Sequence, residues 1–314
     1  MSLCSKCCSE RAEVHLAFSD RKFCTSCFLS FVEKKVKKTV NAYGMIEKGD
    51  RVGVAISGGK DSVGLAYILR RLFPNLDMTA IHVDLGIPDY SGYCRRLVEE
   101  FAEKMGIRLV TFDLKKELGF SVADFKRTPH GEKMCASCGV IKRYLINKMA
   151  LELGVNKLAT GHNLDDIVET LLDHYLQGRV YAMLRLRPLS TAEHPKLVGR
   201  IKPLFKMTDR EMFFYSELAG LNIRSKSCPF SEASRVRRRK RTLDAVTVSI
   251  PKFKHLFLKS HYERILPLLE RARAVDVELH DCPSCEMPVS KQGIECRFCK
   301  LVKEMKCNAT SAAR

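Results

Sequence analysis

The chain has 314 residues, 46% hydrophobic and 29% charged, a balance that suits one sizeable core with small appendages and excludes disorder throughout. No stretch approaches the roughly 18 consecutive apolar residues of a membrane span, and Met1 to Glu10 lacks the apolar centre of a signal peptide, so a cytoplasmic protein with no membrane partner is expected. Fifty-four Lys and Arg against 36 Asp and Glu leave a charge of +18, a surplus that attracts polyanions, with nucleic acid the commonest large one.

Fourteen cysteines in a reducing compartment point to metal binding or chemistry rather than to disulfides. Cys4, Cys7, Cys24 and Cys27 read C-x2-C-x16-C-x2-C, the spacing of a zinc ribbon or knuckle, and define an expected N-terminal zinc-binding domain over residues 1–38. So short a segment holds few apolar residues, and zinc is expected to fold it. Cys8 reads as a bystander beside Cys7.

Residues 39–249 alternate short apolar strands with amphipathic helices, the pattern of a parallel sheet with crossover connections. Strands are expected at Val52–Ile56, Met78–Val83, Leu109–Phe112 and Lys157–Thr160. Between the first strand and a helix stands Ser57-Gly58-Gly59-Lys60-Asp61-Ser62. Paired glycines let backbone approach a phosphate, helix N–H groups point at it, and Lys60 adds a point charge. The extra glycine before Lys60 and Asp61 after it separate this loop from the kinase-type G-x4-G-K-[ST] pattern. His82 and Asp84 end the second strand, at the carboxyl edge where open α/β sheets bind ligands; they either flank the nucleotide or form the turn there.

Further along, Cys135 and Cys138 precede a helix carrying Lys142 and Arg143, which read either as contacts for nucleic-acid phosphate or as a solvated face. Gly161-His162-Asn163 leads into a helix over Leu164–Gln177, whose Leu164, Ile167, Val168, Leu171, Leu172 and Tyr175 share one face. Asp165 and Asp166 suit its N-terminal dipole, and capping is expected of one of them. Arg200-Ile201-Lys202-Pro203-Leu204 precedes a helix near Asp209–Ala219. A loop follows with Cys228 and the run Arg235, Val236, Arg237, Arg238, Arg239, Lys240, Arg241, read as a contact for nucleic-acid phosphates. Residues 250–275 read as a helical linker and 308–314 as a disordered tail. Within 276–307, Cys282, Cys285, Cys296 and Cys299 repeat the zinc spacing as C-x2-C-x10-C-x2-C. Cys94 and Cys307 carry no pattern.

The six-residue loop resembles that of the PP-loop, N-type ATP pyrophosphatases, which split ATP into AMP and pyrophosphate while adenylating a carbonyl oxygen. Together with both terminal cysteine sets, Cys135-x2-Cys138, Gly161 to Asp166, Arg200 to Leu204 and Cys228-Pro229, the order resembles the tRNA 2-thiouridine synthetases, which include wobble-uridine thiolases and ribothymidine 2-thiolases. The resemblance spans Cys4 to Cys299 and implies an adenine nucleotide α-hydrolase-like parallel α/β domain between two zinc-binding domains, each with one structural zinc. It implies ATP with magnesium bound by Ala55, Ser57, Gly58, Gly59, Lys60, Asp61, Ser62, His82, Gly161 and Asp166, the magnesium on Asp61 or Asp166. It also implies tRNA as partner, the wobble uridine as first target, sulfide or a ubiquitin-like thiocarboxylate carrier as sulfur donor, and a homodimer.

Cys135, Cys138 and Cys228 remain once the zinc sets are assigned. Three protein ligands leave a metal with an open position, and the resemblance implies a 4Fe-4S cluster on these three, catalytic together with Lys60 and Asp61. Two other readings stay open: a persulfide and resolving-cysteine set without a cluster, and a third zinc completed by His130 or His162. An ammonia-using relative would need no such cysteines, and a non-enzymatic zinc protein that binds RNA would leave the phosphate loop idle.

Overall fold

The computed structural model describes residues 2–231, 234–272 and 278–312. A hairpin of β1 (Val14–Leu16) and β2 (Arg21–Phe23) leads into α1 (Thr25–Ala42), a continuous helix in which the expected boundary at residue 38 falls. Then come β3 (Arg51–Ala55), α2 (Lys60–Leu72), β4 (Asp77–Asp84), α3 (Ser91–Met105), β5 (Arg108–Asp113) and the short α4 (Leu114–Leu118). Helix α5 (Met134–Glu152) returns to β6 (Lys157–Ala159), followed by α6 (Leu164–Leu176), α7 (Val180–Arg185), β7 (Leu189–Ser190) and β8 (Gly199–Ile201). The rest is α8 (Asp209–Leu218), α9 (Arg235–Ser249), α10 (Phe253–Ser260), α11 (Leu266–Arg271), β9 (His280–Asp281), β10 (Pro288–Val289) and α12 (Arg297–Ala312).

Six strands form one sheet in the order β5-β4-β3-β6-β8-β7, parallel except for β7. Strand β4 is buried over nearly its whole length, as a parallel strand covered on both faces must be. On one face Val52, Val54, Met78 and Ala80 join a core with α1, α2 and α8, and this core also takes in Val14, Leu16 and Phe23 of the first hairpin. On the other face Ile81, Val83 and Leu158 meet α5, Val289 and Phe298; Tyr144 of α5 stacks on Phe298 with centroids 3.6 Å apart. Each terminal cysteine module is therefore joined to one face of the sheet through shared apolar packing.

The four strands expected from sequence are present within one residue at each end, as are α6 and α8. Strand β8 was not legible, since Gly199-Arg200-Ile201 offers one apolar residue; β6 recruits it through parallel pairing of Leu158 with Arg200. The basic run expected in a loop forms the first half of helix α9, with Ser234 Oγ accepting from Arg237 N. Of the expected helical linker, α10 and α11 lie inside it and residues 273–275 fall outside the described residues. Helix α12 continues through Ala312, into the stretch read as a disordered tail, and residues 313–314 lie outside the described ones. Among the described residues no helix is long and apolar enough to cross a membrane.

Candidate functional site

Strand order reverses at β3, which has β4 on one side and β6 on the other, so the loops leaving β3 and β6 diverge and open a crevice at the carboxyl edge of the sheet. The phosphate loop occupies it. Gly58 adopts φ +76°, a conformation that excludes most side chains. Ser62 Oγ closes the turn, accepting from Ser57 N at 3.0 Å and donating to Gly59 O at 3.1 Å. Gly59 caps α2 without a side-chain acceptor, so the N–H groups of the first turn face an anion site. Gly161, on the loop after β6, comes so close that a Cβ there would lie 3.0 Å from the carbonyl carbon of Asp61. Ala55, Ser57, Gly59, Asp61, Ser62, Gly161 and Asp166 line a common cleft of about 1380 Å³.

Lys60 Nζ donates to Asp61 at 2.7 Å and to Asp209 at 2.6 Å, and Asn163 Nδ2 donates to the same two carboxylates at 3.0 and 3.3 Å. Burial opposes charge on Lys60, but the two carboxylates outweigh it and raise its pKa. Asp61 is held above the usual carboxylate range by burial, against the pull of Lys60, whereas at Asp209 the lysine prevails over burial and lowers the pKa. Asp209 carries no motif signal: an aspartate at a helix N-terminus reads as ordinary dipole chemistry.

Both members of the Asp165-Asp166 pair act in capping. Asp166 forms a box with Asn163, the N–H of each donating to the other's side chain at 3.1 and 3.2 Å, and also pairs with Lys240. Asp165 accepts from the first N–H of α8, that of Asp209, at 2.8 Å and pairs with Lys254. His82 is buried, its Nδ1 against Ile56 O at 2.9 Å and its Nε2 without a partner; burial lowers its pKa. It is absent from the cleft wall. Asp84 accepts from Gly86 N at 2.9 Å and forms the strand-to-loop turn.

Cys135 and Cys138 lie in the first turns of α5, and the Cys228 segment folds over them: Cys135 Sγ donates to Phe230 O at 3.1 Å. Burial raises the pKa of Cys135 and Cys138, with Cys228 adding to the rise and Lys142 opposing it, and Cys138 and Cys228 pack against the same apolar cluster. Their sulfurs are not all within 4.8 Å of one another, as those of each terminal set are. Thiolates on separate irons stand farther apart than thiolates on one ion, so three thiols set wider than a single-ion site are compatible in kind with a cluster. His130 pairs with Glu304 through Nε2, and His162 Nδ1 lies 2.8 Å from Thr160 Oγ1. Gly139, Lys142 and Arg143, on the turn that follows, line the same cleft as the phosphate loop.

Residues 29–228 match the family model described as a PP-loop domain. The chain is 33% identical to the tRNA-5-methyluridine(54) 2-sulfurtransferase of Thermus thermophilus, over 94% of this chain and 90% of that protein. This chain belongs to the PP-loop tRNA sulfurtransferase family. It is also 30% identical to the tRNA 2-thiolation protein NcsA of Haloferax volcanii, over 96% of this chain and 98% of that one. The solved U34-tRNA thiolase NcsA of Methanococcus maripaludis, described with its [4Fe-4S] cluster, superposes with a TM-score of 0.79 at 28% identity and 96% coverage of both chains.

In this sulfurtransferase the terminal thiols gather as their spacing implies. Cys7 and Cys24 sulfurs are 3.9 Å apart, Cys285 and Cys296 sulfurs 3.7 Å, and each set of four lies within 4.8 Å. Tetrahedral bonds of about 2.3 Å require sulfurs about 3.8 Å apart, so both sets fit zinc. Cys8 is exposed and outside the first set. The basic run divides by helix face. Arg239 pairs with Glu169 at 2.6 Å and Asp173 at 2.9 Å, and Lys240 with Asp166, so these two are engaged with α6 instead of standing open to a nucleic acid. Arg235, Arg238 and Arg241 form an exposed ridge, as three-residue steps along a helix dictate.

Proposed function

We propose that this sulfurtransferase adenylates the C2 oxygen of a tRNA uridine with ATP, releasing pyrophosphate, and replaces the adenylated oxygen by sulfur, releasing AMP. The observation that carries this reading is that Cys135 Sγ donates to Phe230 O, two residues past Cys228, from the start of a helix whose Gly139, Lys142 and Arg143 line the cleft into which the phosphate loop opens. Oxygen at C2 is a poor leaving group as hydroxide, whereas AMP leaves readily, which explains why a loop for ATP phosphates and a set of thiols share one cleft. The first-turn N–H groups of α2 and Lys60 would hold the phosphates, and Asp61 and Asp166 are the carboxylates a magnesium ion would take.

A 4Fe-4S cluster on the three cysteines would supply an iron without a protein ligand to accept the transferred sulfur. The chain's own part is to hold the thiols together, through Phe230 O on Cys135 and through Ser231, whose N–H and Oγ donate to Cys228 O at 3.0 and 2.7 Å. Each four-cysteine set would hold a structural zinc. Sulfide or a ubiquitin-like thiocarboxylate would donate sulfur, to a homodimer acting in the cytoplasm.

The wobble uridine is the first target, supported by a structural match that spans nearly all of both chains. A T-loop uridine is the second reading, favoured by relatives at 33% and 31% identity named for position 54. Anaerobic incubation of the iron-loaded protein with ATP, sulfide and unmodified tRNA, followed by nucleoside mass spectrometry, tests both. A 2-thiouridine with one AMP per sulfur is expected, its position read from nuclease fragments. ADP as the nucleotide product contradicts the adenylation chemistry.

A further inference from the structure

Lys60, the cation that the sequence assigns to ATP phosphates, is already shared by two carboxylates. A second cation stands at the loop without one. Arg224 lies on the segment that leads from α8 to Cys228, and its backbone N–H donates to Gly58 O at 2.8 Å, fastening that segment to the phosphate loop. Its guanidinium lies against Gly59: a Cβ there would meet Nη2 at 3.2 Å and Cζ and Nε at 3.3 Å. Nη1 donates to the hydroxyl of Tyr90, and Cζ stands 5.7 Å from the centre of that ring. Tyr90 is buried, and the next residue after Arg224 is held as well, Ser225 N donating to Tyr93 Oη at 3.1 Å. Among the described residues no carboxylate pairs with Arg224, and its side chain lines the cleft.

A guanidinium with a fixed plane, one edge on a phenol and no counter-charge, beside the open N–H groups of a helix start, is built to take phosphate oxygens. We propose that Arg224 is a phosphate-binding residue of the ATP site, contacting the phosphates that leave as pyrophosphate, and that Tyr90 is its positioning residue. The assignment to the leaving phosphates follows from the loop, which cradles them, and from the place of Arg224 over Gly59 at the loop's turn. Glycine at 59 is then required twice, for backbone approach to phosphate and for room beneath the guanidinium. The inference rests on ATP use by this loop and is independent of the cluster.

The test measures affinity for ATP, pyrophosphate and AMP in the full-length chain and in Arg224→Gln, Arg224→Lys, Tyr90→Phe and Lys60→Ala, with a thermal melt of each. Arg224→Gln is expected to weaken ATP and pyrophosphate by about 10- to 100-fold, the loss of charged hydrogen bonds, with AMP unchanged. Arg224→Lys should recover part of the loss, because charge returns without the fork. Tyr90→Phe should weaken ATP by a few-fold, again sparing AMP. Equal loss for AMP and ATP would make Arg224 a structural residue and overturn the proposal. So would unchanged ATP affinity in Arg224→Gln while Lys60→Ala is impaired, which leaves the loop reading standing. If Lys60→Ala and Arg224→Gln both bind ATP as the parent does, the loop reading fails and this proposal with it.

Discussion

Lys60 Nζ stands 2.6 Å from Oδ1 of Asp209, a carboxylate 149 residues further along the chain, and Asp61 holds its other side. This makes the loop lysine part of a charge network that continues from Asp209 N to Asp165 and on to Lys254 and Asp244. Removing Lys60 leaves two carboxylates facing each other with only Asn163 between them. Lys60→Ala is therefore expected to abolish AMP formation and to lower stability only slightly, by at most about 1 kcal/mol, because the Asp61 and Asp209 side chains are 27% and 48% exposed and solvent screens their repulsion. Adding Asp209→Asn should restore part of the stability and none of the activity. Chemical denaturation beside an AMP assay checks both halves.

The basic helix α9 should separate into two behaviours. Neutralising Arg235, Arg238 and Arg241 together is expected to weaken tRNA binding and flatten its salt dependence by about two to three log units per log unit of salt, at about 0.7 to 0.9 per phosphate contact. Arg239→Ala should instead lower the thermal midpoint, because Glu169 is 4% exposed and would be left without its partner. A salt slope that ignores the first set would remove the ridge from the tRNA surface.

The contrast between these two sets shows what sequence carries and what it does not. Spacing alone located both four-cysteine sets and the loop, because their partners are near neighbours or repeat at fixed intervals. Periodicity located α6, whose Leu164, Ile167, Val168 and Leu171 are buried together. The composition of 235–241 declared its charge, but its division between α6 and solvent depends on which face of α9 meets Glu169 and Asp173. Asp209, Arg224 and Tyr90 reach the loop from remote segments, and none belongs to a pattern of its own. Capping of α6 is met by Asp166, one of the expected pair, whereas the contact of Asp165 with the start of α8 joins remote segments and has no local signal.

Zinc removal should be felt in the main core. Cys4→Ser or Cys282→Ser is expected to lower zinc content by one per chain and to destabilise the protein, since ligand loss removes much of a binding free energy of about 10 to 16 kcal/mol. Val14, Leu16 and Phe23 share a core with α1 and α2, so loss of the first site should also lower the protection of β3 amides in hydrogen exchange. Full zinc occupancy in either variant would mean that the ligand sets are misassigned.

Lys202 lines the cleft with Nζ donating to Arg187 O, and burial, with Arg200 adding to it, pulls its pKa down to about 8 from an ordinary 10.5. Below pH 8 it is charged, so binding of polyanions should weaken as pH rises through 8. Because the unfolded chain keeps this proton up to 10.5, the group's contribution to stability rises with pH between about 8 and 10.5. Lys202→Arg, charged throughout, should remove the step in binding near pH 8. Persistence of that step in the variant would assign it to another group.

The central claim is that Cys135, Cys138 and Cys228 act as one ligand set beside the ATP cleft. Its most direct test is anaerobic single-turnover thiolation of tRNA with ATP and sulfide, comparing Cys135→Ala, Cys138→Ala and Cys228→Ala with the parent at measured iron content. Each substitution should lose iron and thiolation together while ATP affinity stays within about two-fold of the parent, since the phosphate loop is a separate segment. Thiolation by any iron-free variant, or one turnover by a single cysteine variant given an external reductant, would contradict the cluster and support persulfide transfer in its place.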